Sequence, residues 1–334
     1  MNVSARLQEA SQRVQIVPAA PCSHCQREAT PHMLPGESCT AGHTRRNASN
    51  SVPEPRPCSK CLPDSAAPFV EPGNECEECG KKSKRPRYRC SATNDPVPGV
   101  TSILSAMVAK PQLVPWAARV TVEYIEDALT HGRPLDVSLL AEARRAHARK
   151  RDEGAHIGTL AHDCLQAWIT GDPWESYLPD DPEARAAVLA GLAWLESKRP
   201  AVVATEAVCV APSMPGETPA WCGRADLVYA EGDGLVVADW KSTRSGLYPE
   251  GLLQGAAYSH AVQVASRMPV LRFELIHVDR ESGGFRVATI AGDDLQRAME
   301  TFDALASARL HLRDLDRITR LVMQSSPVTR ELAS

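Results

Sequence analysis

The stretch that decides the fold is GRADLVYAEGDGLVVADWKS, residues 223–242. Two apolar runs flank EGDG (231–234), whose two glycines and one aspartate mark a tight hairpin turn. Centring the turn on Gly232 and Asp233 pairs Glu231 with Gly234, Ala230 with Leu235, Val228 with Val237, and Asp226 with Asp239. Directly opposed side chains have Cβ atoms roughly 4.5–5.5 Å apart. Strand alternation puts Lys241 on the face of Asp239 and Trp240 on the other. Val236 and Ala238 share the Trp240 face, so this strand is expected to be covered on both sides.

Two carboxylates so placed repel unless one takes a proton or a cation sits between them. Oxygen ligands suit Mg²⁺ or Mn²⁺. Such an ion can activate water and neutralise a phosphoryl oxygen. Lys241 can then stabilise the developing anion or hold the attacking water. The bland reading is a surface salt-bridge cluster of Asp226, Asp239 and Lys241; the apolar strand and the opposed aspartates argue against it.

Outward from the hairpin, helical spacing predicts helices over about 113–130, 136–150, 153–170 and 183–197. Strands follow at 202–210, 223–230 and 234–242, then a helix over 250–266 and strands at 271–278 and 285–291. A long amphipathic helix covers 293–322, its buried stripe marked by Leu295, Met299, Phe302, Leu305 and Ala306. That order predicts a mixed α/β domain with helices on both faces of a sheet.

The chain has 334 residues, a formal net charge of -4 and 43% hydrophobic residues. It can bury a sizeable core, and any nucleic-acid contact must come from local patches rather than from overall charge. No stretch has the flanks of a signal peptide, and no apolar run approaches the roughly 20 residues of a membrane span. A cytoplasmic protein without a membrane partner is expected.

Residues 1–95 differ in composition. Eight of the eleven cysteines lie among the first 90 residues. CSKC (58–61) and CEEC (76–79) are fourteen residues apart, the spacing of a zinc ribbon. Cys58, Cys61, Cys76 and Cys79 are therefore expected to hold one structural Zn²⁺ in a module over 51–95. Cys22, Cys25, Cys39 and His43 form a second possible set within 1–50, with His24, His32 and Cys90 competing for places. Modules this small depend on the metal to fold. Redox chemistry would need a βαβ context, which is missing. The basic runs KKSKRPRYR (81–89) and RRAHARKR (144–151) are either solvated faces or phosphate contacts.

With these residues in view, the chain resembles the PD-(D/E)XK nucleases. GRADLV followed by VVADWKS is similar to their GxxD and D-x-K signature, most of all in the RecB-like branch that includes lambda-exonuclease relatives. GTLAH (158–162), TEAVCV (205–210) and QGAAY (254–258) are similar to three further motifs of that branch, in the same order. The resemblance covers about 98–292. It implies a restriction-endonuclease-like core over 96–334 and metal-dependent hydrolysis of DNA ends. Asp226, Asp239, Lys241 and Glu206 would be catalytic; His162, Asp226, Asp239 and the Trp240 carbonyl would hold Mg²⁺ or Mn²⁺.

Gln254 and Tyr258, one turn apart on a helix, would touch the scissile strand. Arg224 would meet DNA phosphate, or pair with a nearby acid. Read without the resemblance, His162 is more readily a core histidine, and the competing reading of Tyr258 is a core aromatic. The resemblance implies DNA as partner, a role in recombination, repair or phage DNA processing, and a recombination partner protein, in a bacterial or phage-infected cell. Several members carry an iron–sulfur cluster built on one early and three late cysteines. No cysteine follows Cys222 here, so no cluster is expected. The alternatives are a zinc-ribbon DNA-binding adaptor that keeps the fold without cleaving, and a zinc-ribbon thiol protein with a redox role.

Overall fold

The computed structural model describes residues 2–16, 20–21, 32–33, 56–57, 69–70, 88–214, 216–244 and 246–324. The chain forms two compact units. The smaller comprises Arg13–Pro98 with Pro215–Thr218, and the larger Met1–Gln12, Gly99–Met214 and Pro219–Ser334.

In the smaller unit, β1 (Val14–Ile16), β6 (Tyr88–Cys90) and β7 (Pro96–Val97) form an antiparallel sheet that buries Val14, Tyr88, Cys90 and Val97. Two short pairs accompany it: β2 (Ala20–Pro21) with β5 (Phe69–Val70), and β3 (His32–Met33) with β4 (Arg56–Pro57). The eight expected zinc ligands, Cys22, Cys25, Cys39, His43, Cys58, Cys61, Cys76 and Cys79, lie outside the described residues. Of the basic run at 81–89, only Tyr88 and Arg89 are described.

The larger unit is a mixed five-stranded sheet flanked by helices. The strands are β8 (Ala201–Val210), β9 (Cys222–Glu231), β10 (Gly234–Lys241), β11 (Val270–Val278) and β12 (Phe285–Ala291), in the spatial order β12-β11-β10-β9-β8. All neighbours are antiparallel except β10 and β11, which run parallel and are joined by the crossover helix α6 (Pro249–Ser266). The hairpin turn is Gly232–Asp233, with Glu231 paired to Gly234 and Gly232 at φ +57°. That left-handed value is why a glycine stands there.

Two apolar cores sandwich the sheet. On one face lie α1 (Val3–Ser11), α2 (Val100–Met107), α6 and α7 (Gly292–Gln324), contributing Leu7, Ile103, Ala257, Val262, Met299 and Phe302. On the other lie α4 (Val137–Thr170) and α5 (Pro182–Lys198), which bury Cys164, Leu165, Val188 and Leu195 against Leu227, Val236, Ala238 and Trp240. Helix α3 (Leu113–Thr130) packs on α4. Seven of the eight β10 residues are buried, as expected of a strand covered on both sides. The indole of Trp240 meets that of Trp194 edge-on, ring centres 5.1 Å apart.

One expectation is corrected. The two helices predicted over 136–150 and 153–170 are a single helix, α4, of 34 residues. Gly154 lies inside it. A helical glycine costs only about 1 kcal/mol relative to alanine, and no proline adds a steric stop. The helix begins at Asp136, whose side chain accepts from Leu139 N–H at 2.8 Å. It ends at Gly171, φ +78°.

Candidate metal centre

The β9–β10 ladder runs from Glu231–Gly234 to Leu227–Ala238 and stops. Asp226 and Asp239 are the next residues in that register. Here the strands part: β9 continues beside β8, and β10 beside β11. The Trp240 N–H turns toward β9 and donates to Asp226 Oδ2 at 2.7 Å. The carboxylate thus supplies the acceptor that the broken ladder lacks, and its Oδ1 stays free for other partners.

Those partners arrive from two elements. On β8, Thr205 pairs with Leu227 and Ala207 with Ala225, which sets Glu206 opposite Asp226. Glu206 has φ +49°, a left-handed backbone in the middle of a strand. For a residue with a long side chain this is strained, at a cost on the order of 1–3 kcal/mol, and such strain gathers at functional sites. From α4, His162 places Nδ1 3.5 Å from Asp226 Oδ1. One donor atom each of His162, Glu206 and Asp226 lies within 4.8 Å of the others.

The remaining sequence-predicted residues surround this trio. Asp239, only 2% exposed, stands outside it and forms an ion pair with Lys241. Gln254 Nε2 reaches Asp239 Oδ1 at 3.5 Å and donates to the Tyr258 hydroxyl at 2.9 Å. Tyr258 is 3% exposed and packs in the core against Gly223, where an added Cβ would come within 2.4 Å of the ring. The tyrosine therefore braces Gln254 from below. Arg224 pairs with Glu206, Nε to Oε2 at 2.5 Å, so of its two expected partners the acid is the one it holds. His156 is exposed. Arg144, Arg145, Arg149, Lys150 and Arg151 are exposed along α4.

Sequence reasoning considered the Trp240 carbonyl and missed the use of its N–H. It also missed Gly223 as the bed of Tyr258; the glycine's place inside a strand was the available signal.

The electrostatics are those of a crowded buried site. Burial opposes a charged imidazole, yet the Asp226 carboxylate and then Asp239 raise the His162 pKa to about 9. Burial would raise the Asp226 carboxyl, but the charge and hydrogen bond of His162, with Lys241 and the Trp240 N–H, hold it below the usual range. Burial, then the Asp226 charge, push Asp239 up to about 6 against the pull of Lys241. Glu206 is raised by burial in spite of Arg224. Three acids thus face three groups that carry or can carry positive charge: His162, Arg224 and Lys241.

The donors of the trio, one imidazole nitrogen and two carboxylate oxygens, suit a divalent ion that accepts mixed nitrogen and oxygen ligands. The raised His162 pKa marks a place where a cation is favoured and a proton fills part of that role.

No family model matches the chain, and no curated protein does. Among solved structures the chain is similar to LHK-Exo in complex with dAMP, at 10% identity and a TM-score of 0.33, over 68% of this chain and 94% of that one. It is also similar to SSO0001, at 15% identity and a TM-score of 0.25, over 52% of this chain and 77% of that one. At such scores the chemistry of the site rests on its own geometry.

Proposed function

We propose that the protein is a Mg²⁺- or Mn²⁺-dependent nuclease that hydrolyses DNA phosphodiesters, acting at ends as an exonuclease. The observation that carries this reading is the donor trio His162, Glu206 and Asp226 within 4.8 Å, with the Asp239–Lys241 pair beside it. His162, Glu206 and Asp226 hold the ion, and Asp239 stands next to them as a further acid. When bound, such an ion supplies positive charge to a phosphoryl group. Lys241, kept cationic by Asp239 and Asp226 despite its burial, donates a hydrogen bond from its ammonium to the developing anion. Gln254 holds the Asp239 carboxylate in place, and Tyr258 holds Gln254.

The preference for DNA ends, and a role in recombination or repair, rest on the motif resemblance at 158–162, 205–210, 223–242 and 254–258. The exposed arginines of α4 supply phosphate contacts, and the cysteine-rich region is a zinc-binding, DNA-binding extension. No helix among the described residues is long and apolar enough to cross a membrane.

The test is digestion of end-labelled linear and circular DNA with Mg²⁺, Mn²⁺ or EDTA. Linear DNA is degraded with either ion and circular DNA is spared. Lys241→Ala, which removes the contact to the developing anion, lowers cutting by at least about 10²-fold, and Asp239→Ala, which removes the partner of Lys241, impairs it as well. Binding without cutting under every ion would leave the adaptor reading in its place.

A further inference from the structure

We propose that Arg224 is an exchangeable counter-ion of the metal centre, shared between Glu206 and a DNA phosphate. The inference rests on the nuclease reading and adds to it a coupling between metal and substrate. Its basis is an overlap: the same Glu206 carboxylate belongs to the donor trio and forms an ion pair with Arg224, Nε to Oε2 at 2.5 Å. A guanidinium at that distance competes with a metal ion for the oxygen and for its charge.

Geometry gives Arg224 a second place to go. Its side chain is 42% exposed, whereas that of Glu206 is 20% exposed, so the guanidinium borders solvent while the acid faces inward. Arg224 and Asp226 are two apart on β9. That spacing puts their Cα atoms about 6.6 Å apart along an extended strand. A side chain of arginine's length spans such a gap by changing rotamer alone. A phosphodiester brought up to the trio would therefore lie within reach of the guanidinium, which binds phosphate in a two-pronged manner. Transfer of Arg224 to that phosphate frees Glu206 for the ion. Metal and DNA then bind cooperatively, and by reciprocity each strengthens the other by the same factor.

The experiment measures Mn²⁺ binding to the full chain from the free-ion EPR signal. It is done with and without a short duplex whose terminal linkages are phosphorothioate, which slows cleavage. Wild-type protein binds Mn²⁺ on the order of tenfold more tightly when the duplex is present, within the usual range of such couplings. In Arg224→Gln the affinity without DNA rises several-fold and the increment from DNA disappears. In Arg224→Lys, which keeps the charge, part of the increment returns. Thermal melts of each variant establish that it is folded. Unchanged or weaker Mn²⁺ binding by folded Arg224→Gln, or a full DNA increment in that variant, overturns the counter-ion role while leaving the nuclease reading intact. Failure of the wild-type chain to bind Mn²⁺ under any condition sinks both.

Discussion

The position of α6 controls how Gln254 meets Asp239, and a pair of glycine substitutions tests that position. Gly255 lies next to Gln254 on α6. A Cβ built there would fall 2.1 Å from the ring of Phe273, which is fully buried on β11. At Gly251, one turn earlier, a Cβ would fall 2.7 Å from the Leu275 side chain. Two glycines one turn apart thus let the helix settle on the sheet.

Glycine to alanine in a helix gains about 1 kcal/mol of propensity. Forcing a methyl into a packed core costs about 1–3 kcal/mol. The Phe273 ring is fully buried and three of its atoms fall within 2.3 Å of the new Cβ, so the upper end applies. Gly255→Ala should therefore destabilise the protein by about 2 kcal/mol net, which lowers the midpoint by about 4–8 °C at 2–4 °C per kcal/mol. The control is Gly154→Ala on α4, where the nearest atom to a new Cβ is the tip of Arg280 at 3.7 Å. The same chemical change there should raise stability by about 0.5–1 kcal/mol. Urea unfolding followed by circular dichroism reads both. If Gly255→Ala proves as stable as wild type, α6 does not lie this close to β11, and the placing of Gln254 against Asp239 falls with it.

Other expectations follow from the charges. His162, with its pKa raised to about 9, must lose a proton to ligate an ion. Apparent Mn²⁺ affinity should then fall by up to about tenfold per pH unit below that value, and His162→Gln should flatten the dependence; a flat wild-type profile from pH 7 to 9 would refute it. In the metal-free fold the sign runs the other way. The His162 contribution to stability is complete below its unfolded pKa, about 6.5, and is lost as pH rises through about 9, which thermal melts across that window report. At the far end of the hairpin, hydrogen bonds from Arg272 and then Lys198 hold Glu231 down at about 2. Its stabilisation is present above its unfolded pKa, about 4.3, and fades toward pH 2. Glu231→Gln should flatten the acid limb of a stability-versus-pH curve, modestly because the group is 42% exposed.

The hairpin was legible because a two-residue turn sets register locally: once Gly232 and Asp233 are its centre, every pair down to Leu227–Ala238 follows. Most flanking helices and strands were legible from period, as the stripe of Leu295, Met299, Phe302 and Ala306 illustrates, although α4 was read as two helices. What the pattern lacked was information held across long connections. Extended by two residues, the hairpin register sets Arg224 opposite Lys241, yet its partner Glu206 lies on β8, reached through a connection over 211–221. No turn chemistry sets that pairing. The left-handed backbone of Glu206 has no sequence mark either, since glutamate there defies local preference and only the surrounding sheet imposes it. Helices α1 and α2, of nine and eight residues, are too short to display a period. His162 needed the resemblance to stand out, because one histidine on a half-buried helix face reads more readily as core.

The site stands at a fork in the sheet for a physical reason. An unbroken ladder consumes every backbone N–H and C=O between its strands and keeps the two faces apart. Where β9 and β10 separate, that barrier opens. Asp226 meets the Trp240 N–H in the gap, His162 comes from the α4 face, and Gln254 comes from the α6 face. Groups from both sides of a buried sheet then converge with the Trp240 N–H still satisfied, because a carboxylate replaces the missing ladder acceptor. The same fork requires the charges to balance. Three acids in so dry a place repel one another unless cations accompany them, and His162, Arg224 and Lys241 do so. A divalent ion entering the fork takes over part of that role, so each of these three groups can release a proton or move to a phosphate without leaving the acids uncompensated.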